Sequence, residues 1–521
     1  MSVLDRLKIK THKDPYFSKV GYEILNESAL KRRVKVTVVV PVYNAIDYLK
    51  KTIDSVILQN IGFHNISLIL VDDGSNDGSR DVLTEYSRLY ENIVSVFLEK
   101  NTGTPAFPRN LGVHLSNSKY ITFLDADDWF SHEGVKVLYD LLEETNVDYA
   151  VGKTIQVDSK EQTVIGRYES SQIRHNVSPF SIKHLFYHLG PRARMMKLDV
   201  IKKNRIKYPE MKFAEDKQFF IDVLLAVGEI STTTTPVYYL NRIDENNSLT
   251  KQTDALEKMD SNIAVLKYVL EKNLKPEQEK LIINRLIEFD SITRLFDRKH
   301  FVKSKNKDAY YKKFHTVMNI FKKYKRTYQF EDTIIKPISR IYFDLAMNQD
   351  YDTLEALADW SKNKGESYFI EKEGLPYKVA CLKNGEKISI PIDVKAEICE
   401  EKQYDDQIEL KISLKGHKIP KIQGLILQSR THVEQSHLIE EGVRHTQDNY
   451  ITVKLNPKNL EQIKLDGYAV FLRHSDYEKI RITKDTELGL QVKLAKNKLF
   501  MIYKTIRGNV GIKVIKEDKK K

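Results

Sequence analysis

Short runs of apolar residues separated by helix-like segments dominate the first part of the chain. The apolar runs cover residues 36–40, 67–71, 93–97 and 120–124. Between them, apolar residues recur every three or four positions, as on the buried face of an amphipathic helix. Near-continuous apolar strands that alternate with helices are typical of a doubly wound, largely parallel α/β sheet. Ligands of such sheets bind outside the carboxyl ends of the strands, so we expect a crevice there.

The pattern changes twice along the rest of the chain. Helical spacing dominates residues 251–362, and short runs with a period of two follow, broken by Gly, Asn and Pro. We therefore predict a helical linker over 251–362 and a C-terminal all-β, sandwich-like domain over 363–521. This leaves 34–250 for the α/β domain, with a helix over 179–189 within it. Residues 1–33 lack clear periodicity, and we predict an N-terminal extension there.

Length and composition indicate a folded protein of several domains. The chain has 521 residues, of which 41% are hydrophobic and 10% aromatic. We find no run of about 18 apolar residues and no apolar N-terminal segment, so we expect neither a transmembrane helix nor a secretory signal. The two cysteines, Cys381 and Cys399, provide neither a disulfide framework nor metal-ligand spacing. We expect a cytoplasmic protein, with peripheral contact to the inner face of the cytoplasmic membrane as an open alternative.

The charge of the chain is strongly positive. The formal net charge is +12, which favours a polyanionic partner such as an anionic polymer or lipid surface. Nine basic residues lie between Lys303 and Arg326 against one acid, Asp308, and aromatic residues are interleaved with them. Two interpretations stay open: a polyanion-binding groove, or a solvated helix face whose aromatic residues pack inward. The basic residues form no recognised nucleic-acid motif, so we expect no nucleic-acid partner.

Acidic residues follow two of the predicted strands. Asp125, Asp127 and Asp128 follow the fourth apolar run, and Asp72 and Asp73 follow the second. Unpaired buried carboxylates are costly, so we expect the three-acid cluster to lie outside the core. Carboxylate oxygens suit a hard divalent cation, which can hold a diphosphate. The sequence therefore predicts an enzyme that uses a nucleotide-diphosphate donor with Mn²⁺ or Mg²⁺.

Three ordered motifs make a family resemblance specific. They are Val38-Val-Val-Pro-Val-Tyr-Asn44, Val71-Asp-Asp-Gly-Ser75 and Phe123-Leu-Asp-Ala-Asp-Asp128. Together they resemble the signature of the family 2 glycosyltransferases, which have the GT-A fold, and the resemblance covers about 34–250. It implies inverting transfer from a UDP-sugar. By resemblance, Pro41 and Tyr43 flank the base, Asp73 accepts the uracil imide N–H, Asp125 holds the ribose and Asp127 holds the metal.

Further donor and acceptor contacts follow from the same resemblance. Asn101 and Arg109 lie where family members have Asn and Arg near the donor, and a guanidinium there would offset pyrophosphate charge. Arg242 precedes a loop that touches the donor diphosphate in similar enzymes, although this chain has Asn where some have His. Arg192 and Arg194 are candidates for contacts with phosphates of the donor or acceptor.

Glu215 and Asp216 resemble the Glu-Asp box of the family. They lie at the start of a predicted helix over 216–227. An inverting displacement needs one base to take the proton of the acceptor hydroxyl. We assign Asp216 as that base and Glu215 as a residue that orients the acceptor or sugar. The neighbouring carboxylate would raise the pKa of the base.

The domain order narrows the acceptor. A GT-A domain, a helical linker and a β-domain on a basic chain are similar to the wall teichoic acid β-N-acetylglucosaminyltransferases of Gram-positive bacteria. This resemblance implies transfer of N-acetylglucosamine to an anionic cell-wall polymer and a homo-oligomer formed through the β-domain. If the basic run is the polyanion-binding groove, we expect Lys312 and Lys322 to contact the acceptor. The N-terminal extension and a C-terminal part long enough for one sandwich module depart from the pattern. A capsular or lipid-linked acceptor and a catalytically idle polyanion-binding module are the alternatives.

Overall fold

The computed structural model describes residues 15–243, 254–432, 435–446 and 448–517. The chain divides into two compact units, one formed by Met1–Ser291 with Thr316–Gln329, the other by Ile292–His315 with Phe330–Lys521. The predicted helical segment is thus divided between the two units.

The first unit is built on a mixed eleven-stranded sheet within the described residues. The strands run in the order β1-β4-β3-β2-β5-β10-β7-β11-β6, with β8 paired to β7 and β9 to β11. Strands β4, β3, β2 and β5 are parallel to one another, whereas β1 and β10 are antiparallel to their neighbours. This confirms the doubly wound α/β prediction. The strands are β1 (Tyr22–Leu25), β2 (Val36–Val42), β3 (Ile66–Asp72), β4 (Ile93–Leu98), β5 (Tyr120–Phe123), β6 (Trp129–Phe130), β7 (Tyr149–Val157), β8 (Gln162–Ile165), β9 (Arg174–Val177), β10 (Arg194–Lys197) and β11 (Ile230–Asn241).

Six helices accompany this sheet in the described residues before 244. They are α1 (Ile46–Ile57), α2 (Ser79–Leu89), α3 (Ala106–Leu115), α4 (Gly134–Thr145), α5 (Leu198–Lys203) and α6 (Glu215–Ala226). The helix α1 buries Leu49, Ile53 and Val56 in the cluster that also contains the side chains of β2 and β3. Each such side chain contributes about 1.5–3 kcal/mol when fully buried, so this face holds the helix on the sheet.

Two predictions about this unit are wrong. Residues 15–33 are not a separate extension, because β1 pairs with β4 and both Phe17 and Tyr22 are buried in a core cluster. A four-residue edge strand is too short to show periodicity. The predicted helix over 179–189 is instead two short 3₁₀ turns, Pro179–Ser181 and Leu185–Tyr187, because His184 between them has φ +62° and cannot continue a helix.

The helical segment is confirmed. Its helices are α7 (Ala255–Glu271), α8 (Pro276–Asn284), a π-helical stretch (Arg285–Thr293), α9 (Arg294–Phe296), α10 (Lys299–Lys303), α11 (Lys307–Lys323), α12 (Pro337–Met347) and α13 (Tyr351–Asn363). The aromatic residues of the basic run pack inward, since Tyr310, Tyr311, Phe314 and Phe321 are all buried. This is the second of the two interpretations for those rings. Within the described ranges, no helix combines the length and apolarity that crossing a bilayer requires.

The all-β prediction for the C-terminal region is also confirmed. A three-stranded sheet, β12-β13-β14, accompanies a larger one in the order β19-β20-β16-β15-β22-β21-β25-β24-β23, with β17 paired to β18 and β21. Buried and partly exposed side chains alternate along strands such as β16, as expected when one face covers a core. The strands are β12 (Ser367–Lys372), β13 (Leu375–Cys381), β14 (Lys387–Pro391), β15 (Lys395–Gln403), β16 (Ile408–Lys415), β17 (Ile422–Ser429), β18 (Ser436–Ile439), β19 (Val443–His445), β20 (Tyr450–Leu455), β21 (Asp466–His474), β22 (Glu478–Thr483), β23 (Gly489–Leu494), β24 (Lys498–Lys504) and β25 (Val510–Lys516), and a short helix, α14 (Pro457–Leu460), follows β20.

Candidate active site

The loops after β2 and β3 are tied together at the carboxyl edge of the sheet. The Asn44 backbone N–H donates to Ser75 Oγ at 3.0 Å, and the Asn76 N–H donates to Asn44 Oδ1 at 2.9 Å. Pro41 lies beside Val71 in the strand register, and Tyr43 is 49% exposed. An exposed ring at this edge is free to stack on a planar ligand, so the structure brings Pro41 and Tyr43 to the predicted crevice.

The two adjacent acids after β3 have different environments. Asp72 is fully buried, pairs with Arg80 Nε at 2.6 Å and accepts the N–H groups of the following turn. Asp73 is 4% exposed and accepts from Thr102 N at 2.8 Å and Thr102 Oγ1 at 2.9 Å. Burial raises the pKa of Asp73 to about 6, although the Thr102 hydrogen bonds oppose this shift. Asp72 is thus structural, and Asp73 is the acid whose protonation is sensitive to its surroundings.

Sequence reasoning missed Thr102, which orients Asp73. The sequence offered one indication of this role, the position of Thr102 next to Asn101 after β4. Asn101 itself is exposed, and its Oδ1 accepts from Gly103 N, which forms a tight turn with Gly103 at φ +79°. The donor contact of Asn101 stays a prediction.

Asp128 corrects the expectation that the three-acid cluster lies outside the core. It is 1% exposed, accepts from Tyr238 Oη at 2.6 Å and from Asn241 N at 2.7 Å, and is therefore buried with partners. Burial first, and the charges of Asp127 and Asp125 next, raise its pKa well above the usual range. Tyr238 Oη also accepts from the Asp125 N–H at 3.1 Å. Only Asp125 and Asp127, both half-buried, remain at the crevice.

Arg109 bridges two acids that are 90 residues apart in sequence. Its Nη2 lies 2.7 Å from Asp125 Oδ1 and its Nη1 lies 3.1 Å from Glu215 Oε1, and the side chain is about 5% exposed. Burial alone would lower the pKa of the guanidinium, but the charges of Asp125 and Glu215 raise it above its ordinary value. Both terminal nitrogens therefore bind carboxylates of the protein here. The predicted contact of Arg109 with pyrophosphate stays a prediction.

The Glu-Asp pair lies at the start of α6, within one residue of the predicted helix. Glu215 is 8% exposed, and burial followed by the charge of Asp216 raises its pKa to about 7, while Arg109 opposes the shift. Asp216 is half-buried, and its Oδ1 accepts from Lys217 N at 2.8 Å. Lys217 Nζ in turn bonds to Asp290 at 2.8 Å. The pair thus contains one carboxyl, that of Glu215, whose pKa is raised by burial and by its neighbour.

The predicted contact of Arg194 with phosphates of the donor or acceptor is wrong for this structure. Arg194 is 1% exposed and pairs with the fully buried Glu169 at 2.6 Å, so it cannot reach a ligand. Glu169 also bonds to His188 Nδ1 at 2.7 Å, and Arg192 Nη2 lies 2.7 Å from His188 Nε2. Burial lowers the pKa of His188 to about 4, so the ring is neutral, with Nδ1–H donating to Glu169 and Nε2 accepting from Arg192. Sequence reasoning missed Glu169 and His188. Arg192 is half-buried, and its contact with a phosphate stays a prediction.

The remaining predicted contacts are spread over the chain. Arg242 follows β11, and its Nη1 donates to Asn241 O at 2.8 Å. The loop after it, 244–253, lies outside the described residues. Lys312 and Lys322 are exposed on α11. Their acceptor roles stay predictions.

The acids at the crevice fit a cation shared with a diphosphate. Among the described residues, no group of three or more His, Cys, Asp and Glu side chains is arranged as a metal site. Asp128 is already paired inside the core and Asp125 is bonded to Arg109. The donor set left for a metal, Asp127 beside Asp125, is that of Mg²⁺ or Mn²⁺ bound by one or two carboxylates and by substrate phosphates.

Comparison with known proteins covers the same region. The family model "Glycosyl transferase family 2" matches residues 37–205. The poly(ribitol-phosphate) beta-N-acetylglucosaminyltransferase TarP of Staphylococcus aureus is 33% identical over 222 residues, 41% of this chain and 65% of the relative. The poly(ribitol-phosphate) beta-glucosyltransferase of Bacillus spizizenii is 30% identical over 207 residues, 40% of this chain and 32% of the relative. The chain thus covers less than two thirds of either relative.

Solved structures extend the similarity of fold beyond this domain. The crystal structure of S. aureus TarS covers 93% of this chain and 86% of its own, at a TM-score of 0.56 and 18% identity. TarS 1-349 in complex with UDP-GlcNAc covers 68% of this chain and 99% of its own, at a TM-score of 0.55 and 19% identity. At these identities the likeness concerns the fold. The family model and the three motifs at the crevice lie in the same stretch, so residues 37–205 of this chain are similar to glycosyl transferase family 2.

Proposed function

We propose that this protein transfers a sugar, with N-acetylglucosamine favoured, from a UDP-sugar to a hydroxyl of an anionic cell-wall polymer such as wall teichoic acid. The observation that carries the proposal is the Asp125–Arg109–Glu215 bridge. It connects Asp125, which we assign to the donor, with Glu215, the neighbour of the assigned base. The residues for donor binding and for acceptor activation therefore lie close together. The names of both curated relatives contain poly(ribitol-phosphate), which supports this class of acceptor.

The donor is bound by residues on three loops. Tyr43 and Pro41 flank the uracil ring, and Asp73, oriented by Thr102, accepts its imide N–H. Asp125 accepts from the ribose while Arg109 fixes its position. A divalent cation bound at Asp127 would neutralise charge on the diphosphate leaving group. These residues hold the anomeric carbon with its bond to UDP in place.

The Glu-Asp pair supplies the base. The acceptor oxygen forms a bond to the anomeric carbon as the bond from that carbon to the UDP oxygen breaks, and the acceptor proton passes to Asp216. Attack opposite the leaving group inverts the configuration. Glu215 is held by Arg109, so it orients the acceptor or sugar rather than taking this proton.

A panel of donors and acceptors tests the proposal. UDP release by the full chain is measured with several UDP-sugars and Mn²⁺, with and without poly(ribitol phosphate) or poly(glycerol phosphate). We expect one sugar to support release, chelation to abolish it, and one polymer to increase it. Release that no polymer stimulates would favour a capsular or lipid-linked acceptor. No release from any UDP-sugar would reject the proposal in favour of a different nucleotide donor or a catalytically idle module.

Base recognition by Asp73 predicts a dependence of uridine binding on pH. The pKa of Asp73 is about 6, so the carboxylate is ionised above this pH and protonated below it. A protonated carboxyl is a weaker acceptor for the imide N–H, so uridine affinity should fall several-fold as pH falls through about 6. Uridine is used because phosphate groups themselves titrate near pH 6.

The matched control for this prediction is Asp73→Asn, in which the side chain cannot titrate. Calorimetry with this variant should show weak uridine binding that is constant with pH. A wild-type affinity that does not change between about pH 5 and 7.5 would contradict the role of Asp73.

A further inference from the structure

A cationic groove lies on the outer face of the C-terminal β-domain. It has a volume of about 530 Å³, within the range of small-molecule sites, ~300–1,000 Å³. Its lining contains four basic residues and no Asp or Glu. They are Arg430, Arg481, Lys504 and Arg507. We infer that this groove binds the phosphodiester backbone of an anionic polymer, and this inference rests on the proposed function for the identity of that polymer as the acceptor.

The strand register builds the groove opposite the core. Phe471 on β21 lies directly across from Arg481 on β22, while their neighbours Leu472 and Ile480 are buried in the core cluster. Strand β21 pairs with β22 at one end and with β25 at the other. The groove opens at the point along β21 where pairing with β25 ends and pairing with β22 begins. Its position is therefore fixed by the sheet and not by a loop alone.

Aromatic rings hold two of the guanidinium groups in place. Arg481 lies over the ring of Phe471 at 5.1 Å, and Arg430 lies over the ring of Tyr503 at 5.8 Å. Gly511 makes room for the second contact, because a Cβ there would lie 2.9 Å from both Arg430 Nη2 and Tyr503 Cζ. Stacked arginines lose little freedom on binding, so their donors are already oriented for a ligand.

These charges are not neutralised by the protein. Within the described part of the chain, Arg430, Arg481 and Arg507 form neither an ion pair nor a side-chain hydrogen bond, and all three are exposed. The tip of the β24–β25 hairpin adds the fully exposed Ile506 beside Arg507. A planar guanidinium with unused donors matches two oxygens of a phosphate, which a point charge such as Lys does not.

The occupied ring faces argue for a polyol-phosphate chain over a nucleic acid. Proteins that bind single-stranded nucleic acid stack bases on open aromatic faces. Here an arginine already lies over the ring of Phe471 and another over the ring of Tyr503, so the groove favours contacts to phosphates over stacking with bases. A polymer that is bound in this groove as well as at the active site is held at a high effective concentration near the active site. We expect a long polymer to gain more from this than a short one.

The test compares the full chain with the double variant Arg430→Ala/Arg481→Ala. Binding of long poly(ribitol phosphate) is measured across a salt series. Loss of two phosphate contacts should weaken binding about tenfold or more at low salt and lower the slope of log K against log salt by roughly two. The preference for long over short polymer should fall with it. The control Lys421→Ala/Arg444→Ala removes two exposed charges near the opposite end of β17 and should keep the wild-type affinity and slope.

Each outcome decides for or against the groove. Unchanged polymer affinity in a folded double variant overturns the inference, and so does equal weakening by the control. Tighter binding to phosphatidylglycerol vesicles than to polymer, lost in the double variant, would reassign the groove to a membrane surface. Failure of the proposed function is separate, because polymer binding is measured without a donor sugar. Groove-dependent polymer binding without any UDP-sugar turnover would remove the enzyme proposal alone.

Discussion

Asp216→Asn should bind UDP-sugar normally and lose transfer by about 10²–10⁴-fold, because a positioned general base contributes that much to such reactions. The amide keeps the shape of the side chain and can still accept from the Lys217 N–H, so the start of α6 should be preserved. Transfer is measured as the initial rate of sugar incorporation into polymer, and donor affinity by calorimetry with UDP.

The neighbouring acid provides the comparison for this prediction. Burial raises the pKa of Glu215 to about 7, which alone would suit it as a base, but its carboxylate is bonded to Arg109. Glu215→Gln should therefore lower transfer less than Asp216→Asn. Glu229→Gln, at an exposed site after the same helix, should leave the rate unchanged. Near-normal turnover of Asp216→Asn together with an inactive Glu215→Gln would assign the base to Glu215.

Arg109→Ala should reduce both stability and transfer. The substitution leaves Asp125 and Glu215 without their shared cation, and breaking a buried pair in this way costs about 3–5 kcal/mol. The guanidinium holds the pKa of Glu215 down, so its loss raises that pKa further above 7. When the pKa of a carboxyl is higher in the folded than in the unfolded protein, its ionisation at higher pH destabilises the folded state. The destabilisation should therefore be larger at about pH 8 than at about pH 5, as measured by denaturant unfolding.

Two further variants separate the charge of Arg109 from its geometry. Arg109→Lys restores one charge but cannot bridge two carboxylates, so it should recover part of the stability and little of the transfer rate. Arg88→Ala removes an exposed arginine of α2 and should change the free energy of unfolding by at most about 0.5 kcal/mol. If Arg109→Ala matched Arg88→Ala in stability and wild type in rate, the bridge would have no role.

The parts of the fold that carry strong periodicity could be predicted from the sequence. Strands β2, β3 and β5, the helix α6 and the all-β region follow from apolar patterns that burial imposes directly on the residue order. The edge strand β1 and the turns around His184 could not, because a short strand has no period and a positive φ at a non-glycine residue leaves no reliable signal.

The sequence predicted the location of the site better than it predicted which of its acidic and basic residues pair with other parts of the protein. The rule that ligands bind at the carboxyl ends of parallel strands places Tyr43, Asp73 and Asp125 together without coordinates. The rule says nothing of which acid is paired by a distant residue. Asp128 pairs with Tyr238, and Arg194 pairs with Glu169, only when the sheet assembles. The sequence alone therefore does not show which acidic or basic residues of a motif become buried.

Tyr238 makes the acidic segment and the end of β11 depend on each other for their buried hydrogen bonds. Its hydroxyl accepts from the Asp125 N–H and donates to Asp128, whose other oxygen accepts from the Asn241 N–H. A chimera that imports either segment from a relative without the other would leave hydrogen-bonding groups buried and unmatched. Any redesign of this crevice should therefore exchange residues 125–128 and 238–241 together.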